Sequence, residues 1–207
     1  MTPLNPRQSE AVHYIDGPLL VLAGAGSGKT SVITRKIAHL IGQCEIPAHR
    51  IVAVTFTNKA AGEMKARVGE LVKGKQGRGL TVSTFHTLGL TIIRRERQQL
   101  GLKNGFSIFD DQDSRSLLTE LLHKDTDVGA EEVDRIRHQI SNWKNDLVTP
   151  SLALSRAGDD QEVRAARIYS QYDRLLRAYN AVDFDDLILL PTLLFQEHEE
   201  ILERWRN

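Results

Sequence analysis

The chain has 207 residues, of which 41% are hydrophobic and 26% are charged, as in ordinary globular proteins and unlike disordered or fibrous chains. Lys and Arg total 27, as do Asp and Glu, so the formal net charge is zero and affinity for a polyanion must come from local patches. A lone cysteine, Cys44, excludes an intrachain disulfide and a thiolate zinc cluster, and without a leader pattern or a long apolar run we expect a soluble, cytoplasmic protein.

The first predicted element is a helix that begins near Pro6. Asn5 is a good N-cap residue, Pro6 suits the first helical position, and Gln8 stands where a capping box places a glutamine. A side-chain amide is also both a donor and an acceptor, so Gln8 has a second interpretation as a reader of an adenine edge. Spacing alone favours the cap.

The first half of the chain alternates between strand and helix signals. Short apolar runs rich in β-branched residues predict buried strands at residues 18–23, 50–55 and 80–83. Two apolar stripes at helical spacing lie between them: Ile33, Ile37, Leu40 and Ile41, then Ala60, Met64, Val68 and Leu71. This alternation predicts βαβ units around a parallel sheet.

The second half is predicted to be mostly helical, with no convincing strand after Thr84. Its apolar stripes at helical spacing are Leu117, Leu118, Leu121 and Leu122, then Val133, Ile136, Ile140 and Trp143, then Tyr169, Tyr172, Leu176 and Tyr179. Residues 125–129 and 149–160 are predicted to be loops. The fold class expected is therefore α/β with a helical insertion.

The charge is separated along the chain. Residues 59–78 carry a net charge of +4, whereas residues 110–135 carry a net charge of −6. A polyanion is expected to meet the first stretch and avoid the second. On charge alone, two solvated helix faces remain the favoured interpretation.

Residues 23–30 have the pattern of a phosphate-binding loop, with Ala23 where the commonest form has glycine. Their glycines let successive backbone N–H groups point at phosphate oxygens, and the helix predicted to begin near Gly28 adds its positive end. Lys29 can reach the β- and γ-phosphates, and the Thr30 hydroxyl can ligate Mg²⁺. A dinucleotide-binding pattern needs a third glycine where Lys29 stands, so ATP or GTP is predicted. The nucleotide-binding residues are Ala23, Gly24, Ala25, Gly26, Ser27, Gly28, Lys29 and Thr30.

Three further segments complete a recognisable set. They are Thr-Phe-Thr-Asn-Lys-Ala-Ala-Gly-Glu-Met at residues 55–64, Ser-Thr-Phe-His-Thr-Leu at 83–88 and Asp-Phe-Asp-Asp-Leu at 183–187. With the loop, they closely resemble the superfamily 1 DNA helicases of the UvrD/Rep/PcrA family over residues 4–207. Residues 140–147 and 183–194 are most similar to the Rep branch of that family. The resemblance implies a RecA-like P-loop NTPase subdomain, called 1A, interrupted by a helical subdomain, 1B.

The resemblance also implies roles for single residues. Gln8 falls in the family's Q motif and would read adenine, the opposite of what spacing alone favours, and Lys29 and Thr30 would act in catalysis with ATP and Mg²⁺. The residues that would contact single-stranded DNA are Thr55, Phe56, Thr57, Asn58, Lys59, Thr84, Phe85 and His86. Aromatic faces stack on bases and polar side chains bind phosphates, which agrees with this set. Burial of the two phenylalanines, a structural role for His86 and solvation of Lys59 remain alternatives.

Phosphoryl transfer also needs a carboxylate that holds Mg²⁺, usually at the end of a buried strand. Residues 106–111 and 182–186 are acidic candidates, but with no strand predicted there their aspartates are expected to cap helices instead. In the family the acidic motif follows a stretch like residues 199–207. We therefore expect the N-terminal part of an ATP-dependent 3′→5′ DNA helicase of replication or repair, with residues 1–88 in subdomain 1A, 89–182 in 1B and 183–207 returning to 1A.

This part alone is expected to bind nucleotide, single-stranded DNA and DNA junctions without efficient hydrolysis, and replication or repair proteins are the expected protein partners. A P-loop kinase or NTPase unrelated to DNA is the first alternative. A non-catalytic binding module that retains the loop is the second. The segment at residues 55–64 argues against the kinase.

Overall fold

The computed structural model describes residues 3–123 and 129–206. The chain forms two units, Met1–Phe85 and His86–Asn207, each with its own hydrophobic core. The described residues form helices and short parallel sheets, so a mixed helix and strand fold is confirmed. None of the described helices combines the length and apolarity needed to cross a membrane.

The first unit is a small α/β layer. Its described elements are helix α1 (Pro6–His13), helix α2 (Lys29–Gly42), strand β1 (Val52–Thr55), helix α3 (Asn58–Leu71) and strand β2 (Thr81–Thr84), with 3₁₀ turns at Ala48–Arg50 and Gly74–Gly77. Strands β1 and β2 pair in parallel, with Val52 opposite Thr81 and Thr55 opposite Thr84. Two predicted strands are thereby confirmed. The core lies where Ile37 of α2 meets Met64 and Val68 of α3.

The strand predicted at residues 18–23 is not formed. The segment has no regular secondary structure, and Leu20 and Leu22 are 82% and 87% exposed. An extended segment becomes a strand only when a neighbour takes its backbone hydrogen bonds. In the described residues the sheet of this unit consists of β1 and β2, so an apolar composition alone did not produce a strand here.

The second unit is mostly helical, as predicted. Its described elements are helices α4 (Phe85–Glu96), α5 (Asp111–His123), α6 (Ala130–Asn145), α7 (Pro150–Arg156), α8 (Asp160–Ala178), α9 (Asp186–Glu197) and α10 (Glu199–Arg206), with strands β3 (Ser107–Phe109) and β4 (Ala181–Asp183). The main core joins the leucines of α5 to Ile136 and Ile140 of α6 and to Tyr169 and Tyr172 of α8. The apolar stripes predicted for these three helices are confirmed, except that Tyr179 is 54% exposed.

The prediction of no strand after Thr84 is wrong. β3 and β4 pair in parallel, with Ser107 opposite Ala181 and Phe109 opposite Asp183. Each strand has only three residues, too few for any periodicity to appear in the sequence. Their pairing depends on contacts between distant parts of the chain, such as the bond from the Lys103 amide to the Asn180 side chain.

The predicted loop at residues 149–160 contains a helix, α7. The hydroxyl of Thr149 accepts a bond from the Leu152 amide, and Pro150 occupies the first helical position. These are the signals of a helix start, which the polar and proline-containing composition concealed. The other predicted loop, residues 125–129, lies outside the described residues except for Gly129, which precedes α6.

Candidate nucleotide and DNA sites

Helix α1 is tied to the loop at residues 23–30 through one side chain. Asn5 Oδ1 accepts a hydrogen bond from the backbone N–H of Gln8 at 2.8 Å, and Gln8 Oε1 accepts one from the backbone N–H of Asn5 at 3.0 Å. The predicted capping box is therefore confirmed. Gln8 Nε2 donates to the carbonyl of Ser27 at 2.9 Å. One glutamine therefore caps its own helix and holds the loop, and its side-chain amide keeps one further N–H and one further lone pair.

The loop has the backbone that its glycines predict. Gly26 and Gly28 have φ of 75° and 83°, in the left-handed region that glycine adopts without strain. Gly28 precedes the first residue of α2, and its carbonyl accepts the Val32 amide. The loop therefore leads directly into the N-terminal end of α2, a helix of 14 residues. The N-terminal end of a helix favours anions.

The Lys29 side chain folds back onto its own loop. Its Nζ donates to the carbonyls of Ala23 at 2.8 Å and Gly24 at 2.6 Å, while the Ser27 hydroxyl also donates to Gly24. These carbonyls hold the ammonium group beside a pocket of about 240 Å³ that Gln8 and Lys29 both line. An incoming phosphate would exchange two neutral acceptors for a charged one, a stronger partner for a lysine.

A site for Mg²⁺ is only partly present. Thr30 is exposed at the second position of α2, where its hydroxyl can serve as one ligand. In the described part of the chain, no three His, Cys, Asp or Glu side chains form a group that could hold a metal ion. The loop thus fits the phosphates of a nucleoside triphosphate, and the described residues supply no cluster of three such side chains to complete the metal site.

The two acidic segments differ from the prediction in one respect. Asp110 follows β3 and Asp183 ends the buried strand β4, so the argument that no strand precedes them is wrong. Both carboxylates nevertheless have structural partners. Asp110 Oδ1 accepts hydrogen bonds from the backbone N–H groups of Gln112 and Asp113 at 2.8 and 2.9 Å. Asp183 forms an ion pair with Lys144. Helix capping by Asp110 is confirmed.

The DNA residues predicted in the first unit follow two paired strands. Because Thr55 lies opposite Thr84, the residues after each strand meet at the same sheet edge. Phe56 is 90% exposed, Phe85 is 45% exposed, and their ring centroids lie 6.0 Å apart. Burial in the core, the alternative for both rings, is therefore wrong for this chain.

The start of α3 lies next to these rings. Thr57 caps the helix by accepting the Ala60 amide at 3.1 Å, and the Thr55 hydroxyl donates to the Thr57 carbonyl at 3.0 Å. Asn58 and Lys59 are exposed in the first turn, which contains no acidic residue. This helix end is thus open to an anion.

In the second unit, His86 lies exposed in the first turn of α4. Its ring lies 5.8 Å from that of Phe184, which is 54% exposed and belongs to the turn between β4 and α9. Sequence reasoning did not select Phe184 by itself. The signal available was an apolar ring between two aspartates in a segment that already matched a family motif.

Sequence reasoning also missed a buried ionic cluster formed by Lys144, Asp183, Asp186 and Tyr172. Lys144 Nζ donates to Asp183 Oδ2 and to Asp186 Oδ1, each at 2.7 Å, and the Tyr172 hydroxyl donates to Asp183 Oδ2 at 3.0 Å. Lys144 is 1% exposed. A lysine one turn after Ile140 on an apolar helical stripe was the available signal.

The charges in this cluster oppose the cost of burial. Burial by itself lowers the pKa of Lys144, but the carboxylates of Asp186 and Asp183 outweigh it and raise this pKa above its ordinary value. Burial raises the pKa of Asp186 to about 6 despite Lys144. Burial also acts to raise the pKa of Asp183, yet the attraction and hydrogen bond of Lys144 hold it below its ordinary value.

Comparison with known proteins gives a consistent result. Residues 4–207 match the model of the UvrD/REP helicase N-terminal domain. The chain is 56% identical to the ATP-dependent DNA helicase Rep of Escherichia coli over 99% of its own length and 30% of that protein. It is 44% identical to the Rep of Buchnera aphidicola, with 98% and 30% covered, and 42% identical to the ATP-dependent DNA helicase PcrA of Staphylococcus aureus, with 99% and 28% covered. The chain thus spans about 30% of the length of these relatives.

Proposed function

The chain belongs to the UvrD/REP helicase family, and from this we propose that it is the N-terminal, ATP-binding part of an ATP-dependent DNA helicase that moves 3′→5′ along a single strand. The observation that carries the DNA part is the exposed ring pair of Phe56 and Phe85 beside an open helix end. The polarity rests on the family alone.

Nucleotide binding is proposed at the loop and α1. Bound ATP with Mg²⁺ supplies the phosphoanhydride bond whose hydrolysis drives movement. The backbone amides of residues 24–30 would hold the phosphates, Lys29 would exchange the carbonyls of Ala23 and Gly24 for them, and the Thr30 hydroxyl would be a ligand for Mg²⁺. Gln8 would read adenine with its side-chain amide, which also donates to the Ser27 carbonyl.

Single-stranded DNA is proposed to bind to residues of each unit. In the first, Phe56 and Phe85 stack on bases, and backbone phosphates are bound by Thr55, Thr57, Asn58 and Lys59. Thr84, which the sequence also suggested, is only 6% exposed and is left out of this set. In the second, His86 serves as a further contact. The pair of exposed rings favours the helicase over a kinase unrelated to DNA, because two neighbouring rings at a sheet edge offer a stacking surface for bases.

The division into subdomains is proposed as 1A at residues 1–88, 1B at residues 89–182 and a return to 1A at residues 183–207. We infer that the carboxylate that completes the Mg²⁺ site belongs to another part of the parent protein, because Asp110 and Asp183, the two aspartates at strand ends, are already bound to backbone amides and to Lys144. The 207-residue chain then binds nucleotide and DNA but hydrolyses ATP poorly. The whole protein would act in the cytoplasm on single strands and DNA junctions, together with replication or repair proteins.

Two binding titrations test this proposal. A fluorescent ATP analogue should bind the chain and lose affinity in Lys29→Ala, while a labelled oligothymidine should lose affinity in Phe56→Ala. Each variant should leave the other ligand's affinity unchanged. If neither ligand binds the wild-type chain, the proposal is wrong.

A further inference from the structure

Lys144 is buried in the second unit although a lysine side chain is strongly hydrated when free. It extends from α6 into a space with 1% exposure and donates to one carboxylate at the end of β4 and one at the start of α9. Its ammonium group also lies 5.4 Å from the centre of the Tyr172 ring of α8. One cation therefore links α6 to the segment that joins β4 and α9.

The two carboxylates bracket a tight turn. Asp183 Oδ1 accepts the Asp186 amide at 2.9 Å, and Asp186 Oδ2 accepts the Asp183 amide at 3.1 Å. Each aspartate thus uses one oxygen to close the turn and the other to bind Lys144. Residues 183–186 are fixed internally by this exchange, and the turn as a whole is fixed to α6 by the lysine.

The middle of this turn faces solvent. Phe184 is 54% exposed, its ring lies 5.8 Å from that of His86, and Asp185 accepts a bond from Asn145 of α6 at 3.3 Å. The first turns of α4 are held against the same segment, because a Cβ on Gly89 would lie 1.8 Å from the Leu187 carbonyl oxygen. The position of the turn therefore determines where the Phe184 ring supports His86.

Ionic groups are an expensive way to fill a protein interior. Replacing a buried ion pair by apolar residues of similar volume is often neutral or stabilising. What charged and hydrogen-bonded groups add is a directional geometry, here two bonds of 2.7 Å from Lys144 Nζ to one oxygen of each carboxylate. An apolar filling would hold the elements together without fixing the turn to this degree.

We propose that Lys144 is a positioning residue for single-strand binding: its clamp on Asp183 and Asp186 fixes the turn whose Phe184 ring supports His86 against DNA. This inference rests on the proposed function, since it takes His86 as a DNA contact. The nucleotide site lies in the other unit and is not part of it.

The test compares a triple variant, Lys144→Met with Asp183→Asn and Asp186→Asn, with the wild-type chain. Methionine fills the volume of the lysine stem, and each asparagine retains the oxygen that closes the turn, so no buried charge is left without a partner. The changes remove one positive and two negative charges, so electrostatics alone predicts tighter binding of DNA. Lys103→Met, which removes an exposed lysine from the same unit, is the matched control.

Three quantities are measured: the melting temperature, the Kd for a labelled oligothymidine and the Kd for a fluorescent ATP analogue. Our proposal predicts a triple variant that melts near the wild type, binds the analogue equally well and binds oligothymidine about fivefold more weakly, the loss expected when one aromatic contact is misplaced. A Kd for oligothymidine within about twofold of the wild type would show that the cluster is merely structural and overturn the proposal.

Two further outcomes are defined. If the triple variant does not fold, Asp186→Asn takes its place; this variant keeps the bond between Lys144 and Asp183. The fivefold and twofold limits on its Kd for oligothymidine then decide as they do for the triple variant. If the wild-type chain itself does not bind oligothymidine, the proposed function fails rather than the role of Lys144 within it. The wild-type titration thus tests the proposed function, and the ratio of the variant Kd to the wild-type Kd tests the role of Lys144.

Discussion

Phe56 and Phe85 lie side by side at one sheet edge, with ring centroids 6.0 Å apart and ring planes inclined by 50°. Their proximity follows from the parallel register that places Thr55 opposite Thr84. Two large apolar rings in solvent gain nothing for stability, whereas bases stack on such rings. The pair is the structural basis for expecting a single strand at this edge.

Replacing Phe56 by alanine should weaken oligothymidine binding by about 1–3 kcal/mol, the range for losing one base–aromatic stack. The melting temperature should change little, because the ring is 90% exposed. Val52→Ala is the control, since Val52 is also an exposed apolar residue of this unit, at 53%. Fluorescence anisotropy measures the first quantity and thermal unfolding the second; equal DNA affinity in Phe56→Ala and wild type would remove Phe56 from the site.

Gln8 takes part in the cap of α1 and, in our proposal, also binds the adenine base of ATP. Gln8→Ala should therefore weaken ATP binding more than GTP binding. Asn5→Ala is the control, because it removes the cap bond to the Gln8 amide, worth about 0.5–2 kcal/mol of stability, but leaves the Gln8 side chain in place. Equal loss of ATP and GTP in Gln8→Ala, with a melting temperature lowered as in Asn5→Ala, would return Gln8 to a purely structural role.

Two glycines of the loop should respond differently to alanine. Gly28 has a φ of 83°, and a Cβ there would lie 3.0 Å from Gln8 Nε2, so Gly28→Ala should distort the loop and lower nucleotide affinity. Gly24 has a φ outside the left-handed region and no neighbour within 4 Å, so Gly24→Ala should bind nucleotide almost normally. Titration with the ATP analogue compares them, and equal affinities would mean that this backbone conformation is not required.

The close packing of α4 on α9 predicts that alanine has opposite effects on stability at two helical glycines, Gly89 and Gly62. Gly89→Ala should destabilise the second unit strongly, because its Cβ would lie 1.8 Å from a backbone oxygen, that of Leu187, which cannot move away alone. Gly62→Ala in α3 has nothing within 4 Å and should raise stability by up to about 1 kcal/mol through helix propensity. Denaturant unfolding of both variants checks this, and a Gly89→Ala variant as stable as wild type would refute the predicted contact.

The ionic cluster predicts how the stability of the folded chain changes with pH. The pKa of Asp186, about 6 in the folded chain, exceeds its ordinary value of 3.8, so folding takes up a proton in this window and Asp186 favours the folded state more as pH falls from about 7 to about 4. The pKa of Asp183 is lowered, so its contribution is lost only below its ordinary pKa. Lys144 and Tyr172, the other groups in contact, stay protonated throughout because both pKa values are raised.

Asp186→Asn should remove this dependence while keeping the bond between Lys144 and Asp183. The free energy of unfolding of the wild type, minus that of the variant, should therefore rise as pH falls from about 7 to about 5. Urea unfolding at a series of pH values measures the difference. A difference that is flat, or that falls, would show that Asp186 does not titrate in this window.

What the sequence predicted well was local. The capping box at Asn5 and Gln8, the glycine-dependent loop and the apolar faces of α5, α6 and α8 depend on neighbouring residues and are confirmed. The strands of three residues and the exposed run at residues 19–22 depend on which distant segment pairs with them, which composition does not encode. The cluster at Lys144 joins three separate segments and was invisible for the same reason.

The central claim is tested most directly by measuring ATP turnover by the 207-residue chain, with and without single-stranded DNA, beside a nucleotide titration. Our account predicts saturable ATP binding that Lys29→Ala weakens, with turnover near the background rate in both conditions. Turnover that DNA stimulates and Lys29→Ala abolishes would contradict it, because the carboxylate that holds Mg²⁺ would then lie within this chain.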